Sequence, residues 1–290
     1  MSIASPSVVA LSHVCRRARE DVKVALIGQG PDELFGGYTR HLGVRYGHHW
    51  RRLPEPVRQG ARSAFGMLRT PSVHRGLYSL DAEPRLTRYQ QIFSLLPGAE
   101  VDGLFRDGVL PPGAGDAILD CWGDVDRQLA RGDELTAFQY LEIRSSLPDE
   151  LLMCADKLSM HHGLELRVPY LDHEVIEHVG RLPAEWKVRL GSRKWLHRSL
   201  CREFLPGTIV RRKKRGFAAN VVDRWYRESL AGKVEETLLS SDSLVYRVLR
   251  PEVVRRLIAE HREGRRDRHK IVYSLVVLEE WLRATSVSLP

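Results

Sequence analysis

No apolar stretch in this chain of 290 residues approaches the roughly 20 that span a bilayer, so no membrane partner is expected. The opening Met1-Ser2-Ile3-Ala4-Ser5-Pro6 has no basic segment followed by an apolar core, and no secretory signal is read there. The four cysteines, Cys15, Cys121, Cys154 and Cys201, are scattered and form no Cys-x-x-Cys pair. That spacing argues against structural zinc and for reduced thiols, which places the expected location in the cytoplasm. Repeats and low-complexity segments are also missing. Acidic residues are in deficit: 37 Asp and Glu against 45 Lys and Arg leave a net charge of +8. Charge alone would admit nucleic acid as a partner, but no motif joins it, and no nucleic-acid partner is expected. With 43% apolar and 28% charged residues, the chain has an ordinary globular profile and could form one large domain or two small ones.

One segment stands out against these absences: Val24-Ala25-Leu26-Ile27-Gly28-Gln29-Gly30-Pro31-Asp32-Glu33-Leu34-Phe35-Gly36-Gly37-Tyr38. The apolar run from Val22 to Ile27 predicts a buried parallel strand over residues 22–28, then a tight turn and a short helix. Pro31 suits the first helical position, and Asp32 and Glu33 fall where exposed backbone N–H groups favour negative charge. Ligands of open parallel sheets bind beyond the carboxyl ends of strands, which is where this turn lies. Acidic side chains there suit a hard divalent cation such as Mg²⁺, shared with substrate phosphates. A dinucleotide loop would need Gly-x-Gly-x-x-Gly, and Glu33 occupies the third glycine position; a Gly-Lys-Ser/Thr phosphate loop is missing too. The plain alternative is a strand-to-helix turn whose acids serve only the helix dipole.

Helical spacing covers residues 6–20, and later 50–68, 85–96, 116–130, 133–145, 149–162, 173–180, 192–204, 220–239, 251–263 and 269–284. Breaks fall at prolines such as Pro54, Pro71, Pro84, Pro183 and Pro251, and residues 98–115, with Gly and paired Pro, read as a loop. The expected fold class is therefore α/β but predominantly helical. Its single convincing strand belongs to a sheet that the rest of the chain under-supplies.

A second dense segment runs from Leu147 to His173. Ser146 and Asp149 have the spacing of a capping box, and Gly163 is a natural helix stop. Leu152, Asp156, Ser159 and Met160 share one helical face, so Asp156 is expected in an apolar stripe where a carboxylate needs a cationic partner. Glu165-Leu166-Arg167 alternates through an extended segment with Glu165 and Arg167 on one side. The bland reading joins Asp156, Glu165, Arg167 and Asp172 in structural ion pairs. His161-His162 is not read as a metal site, because adjacent helical histidines diverge and no partner sits at the next turn. Further on, the basic run Arg211 to Arg215 is followed by Gly216-Phe217, a loop that could hold a polyphosphate.

These motifs, in this order and spacing, resemble the synthetase domain of the asparagine synthetase family. Gly28 to Tyr38 meets the family's Gly-Glu/Gln-Gly-x-Asp-Glu-x-Phe-x-Gly-Tyr turn, and Leu147 to Asp172 meets its Leu-Pro-x-x-Leu-Leu to Pro-Phe/Tyr-Leu-Asp segment. Lys194 to Arg198 is similar to a Lys-x-x-Leu-Arg helix, and Arg212, Lys214, Gly216 and Phe217 to an Arg-x-Lys-x-Gly-Phe loop, with Trp225 after it. Leu278-Glu279-Glu280-Trp281-Leu282 is similar to the family's last helix. The resemblance implies an incomplete adenine-nucleotide α-hydrolase-like (PP-loop ATPase) parallel sheet followed by a helical region. Residues 1–290 would be a single, partial domain. The family's Ser-Gly-Gly-x-Asp-Ser run does not occur in it, nor does the N-terminal glutaminase domain, whose nucleophile is a Cys where this chain has Ser2.

The activity implied is an ATP-dependent amide ligase that activates the β-carboxylate of aspartate, or another carboxylate, as an acyl-adenylate that ammonia then attacks. ATP and Mg²⁺ are the implied cofactors, with Asp32 as metal ligand. Lys194 is the implied cation for departing pyrophosphate, helped by Arg212, Lys214, Gly28 and Gly30. Gln29, where the family often carries Glu, would orient a nucleophile or an oxyanion rather than take a proton, and Asp156 would help place ammonia or the intermediate. Asp32 is expected to face Lys194 and Lys214 across a space sized for a phosphate tail. The missing parts would lie on a second polypeptide or have been lost, and the chain alone would be inactive. Alternatives are a β-lactam synthetase or peptide-cyclising relative, and a non-catalytic remnant or interaction subunit.

Overall fold

The computed structural model describes residues 7–66, 76, 78–110, 113–114, 116–129, 133–212, 224–226 and 228–285. Helices dominate, with a small parallel sheet. The chain packs as two compact units of interleaved sequence: residues 11–92 with 118–215, and residues 1–10, 93–117 and 216–290.

The first of these carries the strand and turn. Helix α1 (Ser7–Asp21), which belongs to this unit from residue 11 on, leads into β1 (Val24–Leu26), then α2 (Pro31–Phe35) and α3 (Thr39–Arg51). β1 pairs in parallel with β2 (Glu165–Arg167), in the register Val24↔Glu165, Ala25↔Leu166 and Leu26↔Arg167. Hydrogen bonds of 2.9 Å, from Ile27 N–H to the Arg167 carbonyl and from Glu165 N–H to the Lys23 carbonyl, extend this ladder. The expected buried strand is corrected here, because Val24 and Leu26 are 42% and 72% exposed. A parallel strand is buried when neighbours flank it and helices cover both faces; among the described residues β1 has one neighbour. Among the described residues the parallel sheet has two strands, β1 and β2.

Several helices lie close to their sequence-read bounds, among them Arg85–Phe93, Ala117–Leu129, Glu134–Arg144 and His173–Arg181. Others differ for identifiable reasons. α3 has no counterpart in the sequence pattern, because Gly43, Gly47 and three histidines blur its apolar spacing. Gly98–Asp102 forms a short helix within the stretch read as loop. The expected capping box at Ser146 does not form, since Ser146 has helical angles (φ −63°, ψ −31°) where a cap needs extended ones. The chain instead runs through a π-helical turn, Leu147–Leu152, into the helix Met153–His161, which Gly163 ends at φ +69°.

Residues 192–204 also divide. Helix Ala184–Lys187 runs into β3 (Val188–Arg189), which pairs antiparallel with β4 (Ser192–Arg193), and the helix begins only at Trp195, running to Phe204. Lys187 is the outlier of this region: 1% exposed, with its ammonium only 3.5 Å from the Gly180 carbonyl. Burial lowers its pKa to about 8, and the charge of Asp133 offsets this only in part. Lys187→Met is expected to stabilise the chain at pH 7 by roughly 1–2 kcal/mol, a desolvation gain reduced by the bond that Gly180 loses. The sign of the pH dependence follows from the lowered pKa. Below pH 8 both folded and unfolded chains hold the proton and the penalty is constant. Between about 8 and the ordinary lysine value the unfolded chain binds more protons, so stability rises with pH. Chemical denaturation at pH 7 and pH 10 should show the variant's advantage shrinking over that interval.

In the other unit, helices Ala231–Leu238, Pro251–Arg262 and His269–Thr285 bury Leu238, Val254, Leu257, Val272 and Leu275 in one apolar core. Glu279, fully buried, accepts bonds from the N–H groups of Leu244 and Val245 and from the Ser243 hydroxyl at 2.8–3.1 Å, and pairs with Arg283 at 2.7 Å. A carboxylate so placed caps the 3₁₀ turn Leu244–Arg247 from another element.

Candidate functional site

The turn after β1 is built on glycines at positions where a side chain would not fit. Gly30 stands at φ +104° before α2, and a Cβ there would come within 2.4 Å of Leu171. Gly36 ends α2 in the left-handed conformation (φ +73°), where a Cβ would strike Val188 at 2.2 Å. Pro31 takes the first helical position, as read from sequence. The apolar side of α2, Leu34 and Phe35, packs with Val179, Val175, Ile176 and Leu196, which leaves Asp32 on the side facing outward.

Asp32 meets Lys194 directly, Oδ1 to Nζ at 2.9 Å, with both side chains about one quarter exposed. The expected arrangement, the two facing each other across an open space, is corrected: the pair is closed. Opposite charges on a short carboxylate and a flexible stem attract at this separation, and Gly37 leaves room for them. A Cβ on Gly37 would fall 1.8 Å from Asp32 Oδ1 and 2.2 Å from Lys194 Cε.

A buried polar network fixes this turn from behind. A five-residue helix cannot satisfy its own last carbonyls, and Gln139 Nε2 donates to those of Glu33 and Leu34 at 2.6 and 2.9 Å. Glu33 is buried and accepts a 2.6 Å bond from the Tyr38 hydroxyl; burial pushes its carboxyl up, and that bond partly opposes the shift. Arg40 lies over the Tyr38 ring at 3.9 Å and donates to Glu142 at 2.5 Å. His41 Nδ1 accepts from the Tyr38 N–H, so Nε2 carries the proton and donates to Glu142 at 2.6 Å. On the far side of α2, His197 packs 5.3 Å from the Phe35 ring and bonds the Tyr170 hydroxyl at 3.0 Å; burial first, then the Lys194 charge, lower its pKa.

The remaining sequence-read residues distribute unevenly. Gln29 is half-buried, and its Oε1 is buried with no hydrogen-bond partner. Gly28 is exposed, and a Cβ there would touch nothing within 4 Å. Asp156 is exposed, not set in a buried stripe: Ser159 alone of that face is buried, and Met160 is 57% exposed. The buried side of the helix is Cys154, Ala155 and Ser159, a face rotated from the one the spacing suggested. Glu165 and Arg167 do share a side and pair at 2.9 Å, while Asp172 caps the helix His173–Arg181 through the Glu174 N–H. Arg212 is exposed; Lys214, Gly216 and Phe217 lie outside the described residues. Among the described residues, no three His, Cys, Asp or Glu side chains gather to hold a metal. Mg²⁺ shared with phosphates needs only one or two carboxylates and keeps its waters, so Asp32 fits that kind of site and no closed protein cage is present among them.

The class of protein this defines is a helical α/β chain with a carboxylate–lysine pair at the carboxyl end of a parallel strand. A family model, asparagine synthase, matches residues 2–283. The chain belongs to the asparagine synthase family. It is 30% identical over 290 residues to a putative asparagine synthetase [glutamine-hydrolyzing] of Mycobacterium tuberculosis, covering 96% of this chain and 42% of that protein. To asparagine synthetase [glutamine-hydrolyzing] 1 of Bacillus subtilis it is 24% identical over 282 residues, covering 96% and 43%. An amidase, chry2, of Gibberella zeae is 24% identical over 201 residues, covering 63% and 29%. The chain thus spans less than half the length of these relatives. No solved structure gives a match.

Proposed function

We propose that this chain supplies part of the synthetase site of an ATP-dependent amide ligase, which activates aspartate as an acyl-adenylate and passes it to ammonia. The observation that carries the reading is the Asp32–Lys194 pair at the mouth of the Gly28–Tyr38 turn, in a chain of this family. When bound, Mg²⁺ would screen the triphosphate as the carboxylate of aspartate approaches the α-phosphorus. Asp32 is the residue to hold it. Released from Asp32, the Lys194 ammonium would meet the charge that grows on departing pyrophosphate. An ion pair of this exposure is worth on the order of 1 kcal/mol, so its opening is a small cost beside polyphosphate binding.

Gln29 supports the second half of the reaction. Its Oε1 is buried and has no hydrogen-bond partner; it would accept an N–H of ammonia and orient it without removing its proton. Attack forms the C–N bond, breaks the acyl C–O bond to release AMP, and the extra proton on nitrogen leaves to solvent. Asp156, exposed on its helix, would help place ammonia or the intermediate. Arg212 and Lys214 would add positive charge from the loop that follows.

Residues 1–290 contain no Ser-Gly-Gly-x-Asp-Ser run. We assign that loop to polypeptide outside this sequence, continuous with it or separate. The test is aspartate-dependent ATP–pyrophosphate exchange. The 290-residue chain alone should give none, and the chain reconstituted with a polypeptide carrying that run should give it. Robust exchange by the chain alone would remove the requirement for a complementing loop. No exchange with any carboxylate in the reconstituted complex would remove the ligase reading.

A further inference from the structure

Lys194 is the one residue other than glycine, among those described, with a positive φ (φ +53°, ψ +42°). For a residue with a Cβ this costs about 1–2 kcal/mol, and it persists only where the surroundings over-determine it. Both chain neighbours of Lys194 are held. Trp195 lies under the Arg189 guanidinium at 3.4 Å and against the Trp186 ring at 5.5 Å. Arg193 reaches across to the turn between α2 and α3, where its Nη1 donates to the Gly37 carbonyl at 3.1 Å and to the Thr39 hydroxyl at 2.9 Å. Gly37 is the residue that packs against both Asp32 and Lys194. One guanidinium therefore ties the end of β4 to the backbone on which the ion pair rests.

We propose that Arg193 is a positioning residue: it holds the left-handed backbone of Lys194 against the Gly37 turn, and so sets the ammonium over Asp32. This rests on reading that pair as the phosphate and metal site, but it concerns geometry that exists without any ligand. With Arg193 shortened, β4 would no longer be tied to Gly37. Lys194 could then relax to an ordinary backbone conformation, carrying its ammonium off the carboxylate.

The experiment is brief acetylation of the 290-residue chain with acetic anhydride, followed by mass spectrometry. Lys194 is compared with exposed Lys233 as an internal reference. In Arg193→Gln, labelling of Lys194 relative to Lys233 should rise roughly three- to fivefold, the weight of an ion pair of this exposure. Asp32→Asn, which removes the pair directly, should give the same rise, and Arg193→Lys, which keeps one donor, a smaller one. A purely structural role would move the melting temperature without changing this ratio. Should Arg193→Gln fail to fold, Thr39→Val removes one acceptor only and should give a partial rise. An unchanged ratio in folded Arg193→Gln or Thr39→Val, with Asp32→Asn raised, overturns the inference and leaves the ligase reading intact. No rise in Asp32→Asn overturns it as well. The ligase reading itself is decided separately, by pyrophosphate exchange.

Discussion

Replacing Asp32 with alanine is expected to lower aspartate-dependent pyrophosphate exchange roughly a hundredfold or more in the reconstituted complex. That is the scale seen when one preorganised charge-stabilising group is removed from a reacting centre. The fold should hardly notice. Asp32 is partly exposed on the outward side of α2, and the core beneath is made by Leu34 and Phe35. Loss of the Lys194 pair should cost about 1 kcal/mol or less in denaturant titrations. Lys194→Ala should give an activity loss of the same order. The double variant should be little worse than either, because the two side chains act as one unit. Raising Mg²⁺ should not restore Asp32→Ala. Exchange at wild-type rate in that variant would strike Asp32 from the site.

Glu279→Ala is expected to cost about 3–5 kcal/mol of stability, read as a shifted midpoint in urea. The carboxylate has no exposure and serves four donors at once: two backbone N–H groups, the Ser243 hydroxyl and Arg283. Deleting it leaves the Val245 N–H unpaired inside the core, a loss that water cannot make good. Glu279→Gln keeps two acceptor lone pairs and should cost clearly less. A cost under about 1 kcal/mol for the alanine variant would mean that the turn at Leu244 is held by its apolar contacts.

The strand–turn–helix from Val24 to Phe35 was legible because glycine, proline and acidic residues carry positional chemistry. Gly30, Gly36 and Pro31 do what their backbone preferences dictate. Asp32 and Lys194 were legible as a pair through the family resemblance, though not their direct contact. That contact depends on Gly37 having no side chain and on the left-handed backbone of Lys194, neither of which leaves a mark on spacing. Gln139 and Glu142 were missed for a related reason. They sit one turn apart in Glu134–Arg144, among Leu135, Ala137, Phe138 and Leu141, all buried. A helix buried on nearly every side hides which of its polar residues is inside, and the clue lay in its lack of a polar face. Asp156 failed in the opposite direction. Its spacing with Leu152 and Ser159 suggested burial, but the helix Met153–His161 turns Cys154, Ala155 and Ser159 inward and leaves Asp156 exposed.

The parallel pairing of β1 with β2 also constrains the order of assembly. Val24 hydrogen-bonds within a ladder whose other rail begins at Glu165, about 140 positions later. At ordinary translation speeds a ribosome needs on the order of ten seconds to cover that distance. For that time Val24, Ala25 and Leu26 have no β2 to lie beside. Slow, non-local pairing of this kind leaves nascent chains exposed to misassociation, so the yield of folded material should respond more to chaperone supply during synthesis than to any buffer chosen afterwards.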